Sequence, residues 1–74
     1  MSPKQPVYNA KQIIKALIKR GFIFDRQSGS HAIYRKGESR VTIPNHGKKD
    51  MAPGTLRSIL AEAKISFEEL RDLI

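Results

Sequence analysis

From Ala10 to Ile18 the apolar residues fall at Ala10, Ile13, Ile14, Leu17 and Ile18, the spacing of one helix face. Lys11, Lys15, Lys19 and Arg20 occupy the other faces. Asn9 supplies an N-cap, and Gly21 stops the helix just after the cations that its last turn favours. The pattern then changes period. Phe22 to Gln27 is rich in strand formers and ends at the turn-prone Ser28-Gly29 pair. Ser30 to Lys36 predicts a second strand, closed by Gly37-Glu38-Ser39 in a short hairpin connection. Arg40-Val41-Thr42-Ile43 alternates polar with apolar, so the third strand has one wet and one buried face. Pro44 ends it by withholding a donor.

Asn45 to Asp50 is a polar loop without a hydrophobic anchor. Pro53 suits the first turn of a helix whose stripe is Leu56, Ile59, Leu60 and Ala63. Ser66, with Glu69 at the capping-box position, opens a last short helix that buries Phe67, Leu70, Leu73 and Ile74. The expected fold class is therefore α+β, α-β-β-β-α with a short extra C-terminal helix. The helices cover one face of a three-stranded antiparallel sheet and leave the other wet. Residues 1–8, with Pro3 and Pro6, read as a flexible tail, and residues 9–74 as a single domain.

Composition narrows the functional classes. A chain of 74 residues has room for one core, and one this short buries only about 60% of its unfolded surface. With no cysteine, neither a disulfide nor a thiolate metal site is available. No apolar run approaches the roughly 18 residues of a membrane span, and the start lacks a secretory core, so the expectation is a soluble cytoplasmic protein. Fourteen Lys and Arg against seven Asp and Glu give +7, unevenly placed. Residues 1–65 carry thirteen basic and four acidic side chains, whereas residues 66–74 hold Glu68, Glu69, Asp72 and Arg71. Clustered positive charge attracts phosphate backbones by counterion release. It equally suits an acidic protein partner, and by itself it says nothing of catalysis.

His31 and His46 are the only histidines. They lack zinc-pair spacing and an accompanying carboxylate cluster, so no metal and no cofactor is expected. His31 stands in Gly29-Ser30-His31, at the start of a strand after a tight turn. An imidazole there lies at a sheet edge near solvent, where it can take or give a proton near neutrality. The plainer reading is a histidine that hydrogen-bonds the turn. Alternation puts Ser30, Ala32 and Tyr34 on one face and His31, Ile33 and Arg35 on the other. Both sets are mixed, so the pattern leaves open which face is wet.

One chemistry suits a lone histidine among cations. In RNA cleavage the substrate's own 2′-hydroxyl is the nucleophile, so the protein needs only to move a proton and hold the phosphate. A positioned acid or base is worth on the order of 10² to 10⁴ in rate. Cations that stabilise the developing charge add more. That suffices for a regulatory cleaver of scarce targets. Lys48 and Lys49 are candidate phosphate partners in the polar loop, and Arg35, Lys36 and Arg40 flank the second hairpin as candidates for the same groove. The backbone donors of Gly54, Thr55 and Leu56 open a helix and could hold a phosphate. Tyr34 could stack on a base or belong to the core. His46 could be a second proton carrier or a solvated loop residue.

Gly29-Ser30-His31 with Tyr34, Val41-Thr42-Ile43-Pro44 followed by His46, and Pro53-Gly54-Thr55-Leu56 with Ile59-Leu60 together resemble the HicA family of type II toxin–antitoxin toxins. The resemblance runs from about Lys11 to Ser66. It implies a fold like that of double-stranded-RNA-binding domains and an endoribonuclease (mRNA interferase) activity. It places the required histidine at His31, supported by Gly29 and Ser30. It further implies a HicB-type antitoxin that covers the active site, with DNA reached only through another part of that antitoxin. Two other classes fit the charge: a module that binds structured RNA without cutting it, and a domain that serves an acidic protein partner alone.

Overall fold

A computed structural model describes residues 7–45 and 49–74. The elements run α1 (Ala10–Lys19), β1 (Ile23–Ser28), β2 (His31–Lys36), β3 (Ser39–Pro44), α2 (Pro53–Ala63) and α3 (Phe67–Leu73). The strands form an antiparallel meander in the order β1-β2-β3, so His31 to Lys36 is the central strand. This is the expected α+β layout, with strand limits moved by a residue. Phe22 is buried ahead of β1 instead of starting it, and the connections are two-residue turns, Gly29-Ser30 and Gly37-Glu38.

Local chemistry accounts for the helix ends. The Gln12 N–H donates to Asn9 Oδ1 and the Asn9 N–H to Gln12 Oε1, both at 2.9 Å, closing a capping box on α1. At its other end Gly21, at φ +94°, lets the Phe22 N–H reach the Leu17 carbonyl at 2.9 Å. The predicted box on α3 is present, with Glu69 N–H donating to Ser66 Oγ and Ser66 N–H to Glu69 Oε1. The Glu69 carboxylate also pairs with Arg20, joining α3 to the end of α1.

The core is one cluster. Ile13 and Leu17 of α1, Val41 and Ile43 of β3, Ile59 of α2 and Leu70 of α3 are fully buried in it. Ala32 and Tyr34 contribute from β2, opposite Ile43 and Val41. Helix α2 packs along β3 and α1 against α3. Tyr8, placed by sequence in the tail, is instead buried in this core; its carbonyl accepts from the Met51 N–H at 2.8 Å. A bridge between Asn9 and Asp50 ties down the same corner.

Candidate active site

Burial of Ala32 and Tyr34 answers the question that alternation left open. Because successive side chains of a strand point to opposite sides, His31, Ile33 and Arg35 must stand on the face away from the helices. His31 opens the central strand, level with Ser28 on β1 and Pro44 on β3. It follows directly on the Gly29-Ser30 turn. Gly29 has φ +58°, the conformation that a two-residue hairpin turn of this kind needs at its first position. Beside the turn, the Asn45 N–H donates to the Ser30 carbonyl at 2.7 Å and closes the end of the sheet. The imidazole is exposed and makes no hydrogen bond or ion pair among the described residues. Contrary to the plainer reading of this histidine, the turn does not use the ring.

Arg35 and Arg40 are in register across β2 and β3 on the same open face. Two like charges directly opposite one another repel. Neither has a carboxylate partner among the described residues. A third arginine joins them through a β-bulge. The pairing runs Phe24 with Tyr34 and then Arg26 with Ile33, so Asp25 is the extra residue. Without it, strict alternation would put Asp25 and Gln27 on the open face. The bulge instead turns Arg26 and Ser28 outward, replacing an acid by a base opposite Ile33. Arg26 keeps only a loose contact with Asp25, 3.9 Å from Nε to Oδ2. Sequence reasoning missed Arg26, because period-two counting assigns it to the other side.

The structure decides between the two readings of Tyr34 and corrects the one for Lys36. Tyr34 is not available to stack on a base: it is 8% exposed and packs edge-on against the Phe24 ring, with 5.6 Å between centroids. Burial pushes its phenol above the usual tyrosine range. Lys36 does not share a groove with Arg35 and Arg40. One residue further along the strand, it points to the helix side, where its ammonium lies 6.0 Å from the centre of the Phe22 ring.

Lys49 is exposed and lines a cleft of about 260 Å³ with Pro44, Asp50, Met51 and Thr55. Pro44 is the cross-strand neighbour of His31, so this cleft lies at the histidine's end of the sheet. Helix α2 begins there, with Pro53 in its first turn and no side chain capping it. The Leu56 N–H already donates to the Ala52 carbonyl at 2.9 Å, leaving those of Gly54 and Thr55 at the helix mouth. His46 and Lys48 lie outside the described residues. Among the described residues no three His, Cys, Asp or Glu gather as metal ligands, and no helix is long and apolar enough to cross a membrane.

The site thus pairs one exposed imidazole with an arginine-rich open face. The family model described as HicA toxin of bacterial toxin-antitoxin matches residues 10–65, from the start of α1 to just past α2. No curated protein is similar to the chain at a significant level. The match covers all three strands and both long helices, and with it the whole of the site, so the chain belongs to the HicA family of toxin–antitoxin toxins.

Proposed function

We propose that this toxin is an endoribonuclease that cleaves mRNA on the open face of its sheet, with His31 as general acid/base and no metal. The observation that carries the reading is the unengaged imidazole at one end of a face bearing Arg26, Arg35 and Arg40. In the proposed step the substrate's 2′-oxygen attacks the adjacent phosphorus as its proton leaves. The bond from phosphorus to the 5′-oxygen breaks, and that oxygen takes a proton. The products are a 2′,3′-cyclic phosphate and a free 5′-hydroxyl. His31 serves one of the two proton transfers, worth on the order of 10² to 10⁴ in rate. The arginines bind non-bridging and neighbouring phosphate oxygens, for which the planar guanidinium fork is suited. Lys49, with the Gly54 and Thr55 N–H groups, supplies a further phosphate contact at the histidine's end.

A toxin of this family works with an antitoxin partner. In this reading the partner is a HicB-type protein that covers the open face. Electrostatic complementarity then calls for an acidic antitoxin surface and rapid association that slows as salt rises.

The test uses labelled single-stranded RNA and its DNA equivalent in EDTA, with wild-type protein and His31→Ala. The expected result is cut RNA, intact DNA, and a variant that is folded by circular dichroism but inactive. Equal cutting by the variant would remove His31 from the chemistry. Binding of RNA without cutting by either protein would make the chain an RNA-binding module instead.

A further inference from the structure

A second cleft, of about 250 Å³, lies at the other end of the sheet, between the second hairpin and the end of α2. Arg20, Lys36, Ser39 and Lys64 line it together with the buried Phe22 and Ile65. Each cation is placed by a specific local device. Arg20 is held by Glu69, whose carboxylate also closes the capping box of α3 by accepting from the Ser66 N–H. The Lys36 stem lies over Gly21, where an added Cβ would sit 3.4 Å from Cε, and its ammonium is held over the Phe22 ring.

Lys64 is the most telling of the three. It ends α2 in the left-handed conformation, φ 57° and ψ 43°, and is the only non-glycine residue with positive φ among the described residues. The bonds around it, Lys64 N–H to the Ala61 carbonyl and Ile65 N–H to the Leu60 carbonyl, repeat the arrangement at the end of α1. There the chain uses Gly21, which meets no steric cost. At the end of α2 it holds a lysine in a strained backbone, and that lysine is one of the residues lining the cleft. Strain kept at one position and avoided at its counterpart points to a use for the side chain.

We infer that this cleft binds a backbone phosphate of the RNA, several nucleotides from the bond cut at His31, an inference that rests on the ribonuclease reading. Neither Lys36 nor Lys64 makes an ion pair among the described residues, so the cleft is lined by two lysines whose charge is uncompensated. The apolar lining is already buried, Phe22 being 4% and Ile65 6% exposed. It therefore offers little of the apolar anchor that a protein partner's contact needs. Paired ammonium groups and a hydroxyl suit a small, densely charged group such as phosphate. The cleft adjoins the arginine pair at the end of the second hairpin. Arg35 opposite Arg40 is followed along the hairpin by Lys36 opposite Ser39, on alternate sides of the sheet. A strand leaving the open face between the arginines meets Lys36 as it rounds the end of the hairpin. His31 and Lys36 begin and end the same strand, about 17 Å apart at about 3.4 Å per residue.

The experiment measures binding of labelled single-stranded RNA over a salt series, with Lys36→Gln/Lys64→Gln built into His31→Ala so that nothing is cut. Removing both lysines from the one phosphate they hold lowers the slope of log affinity against log salt by about 0.7. With His31 intact, KM for a long RNA rises while kcat holds, and a substrate spanning only the scissile bond is cut as before. Lys64→Gly separates charge from folding, since it is expected to raise Tm while weakening RNA binding. An unchanged salt slope overturns the proposal and leaves the cleft to an acidic protein. Weakening confined to RNA with a 5′-phosphate overturns the backbone assignment in favour of a terminal phosphate. If the slope falls but wild-type protein cuts no RNA, the cleft stands and the ribonuclease reading fails. Cutting with an unmoved slope does the reverse.

Discussion

Replacing Arg40 by glutamate tests the open face from two directions at once. Arg35 and Arg40 are directly opposite across β2 and β3, both exposed and without a carboxylate partner among the described residues. Directly opposed like charges destabilise a sheet and opposite charges stabilise it, each by roughly 0.2 to 1 kcal/mol. Exposure to solvent keeps both effects near the low end of that range. Converting repulsion to attraction therefore stabilises the fold by about 0.5 to 1 kcal/mol at low salt. For a domain of this length, 1 kcal/mol raises Tm by roughly 4 to 8 °C, so a gain of a few degrees is expected. Arg40→Gln, which removes the repulsion and adds no attraction, falls between the two proteins. The gain shrinks at 1 M salt, where the screening length is about 3 Å. Over the same series RNA affinity falls, and the salt slope of binding drops by about 0.7 for the one phosphate that Arg40 no longer neutralises. Thermal unfolding followed by circular dichroism and RNA binding followed by fluorescence anisotropy read the two effects separately. Destabilisation by Arg40→Glu would mean that the two arginines do not share an exposed face. Higher stability with unchanged RNA binding would remove the RNA from that face.

Two further outcomes follow from the geometry around His31 and in the core. Gly29→Ala adds a methyl group that meets nothing within 4 Å but forces a side chain into φ +58°. Its cost is conformational, about 1 to 2 kcal/mol in chemical denaturation, and the strained turn also displaces His31 and lowers cleavage more than RNA binding. A stable, fully active variant would show that the turn does not set the histidine's position. Tyr34 gives a pH signature. Burial raises its pKa in the folded state, so the stabilising contribution is complete below the ordinary tyrosine value of about 10 and is lost as pH rises through the raised one. Phenolate absorbance in Tyr34→Phe should lack a late-titrating component present in the wild type. The variant should also lose less stability in alkali.

Much of this molecule follows from short-range chemistry that the sequence carries on its own. The spacing of Ile13 and Leu17, the caps at Asn9 and Ser66, and Gly21 each act within a turn or two of chain, so they are legible without knowing the fold. The same is true of α2, from Pro53 to Ala63, and of the two hairpins, whose turns need particular residues. The Gly29-Ser30-His31 motif and its neighbours likewise pointed to the family that residues 10–65 match. Tertiary structure decided the rest, because each remaining question depends on how residues apart in the chain pair and pack. Ala32 with Tyr34 and His31 with Arg35 are equally mixed pairs, and only packing against Ile43 and Val41 chose the first for the core. Lys36 and Arg35 are adjacent in sequence yet serve opposite sides, since a strand alternates at every residue. One extra residue at Asp25 reverses the rest of β1 and brings Arg26 to the open face, an event that counting by twos cannot foresee. Tyr8 joins the core at a corner where Met51, far along the chain, donates its N–H to the Tyr8 carbonyl.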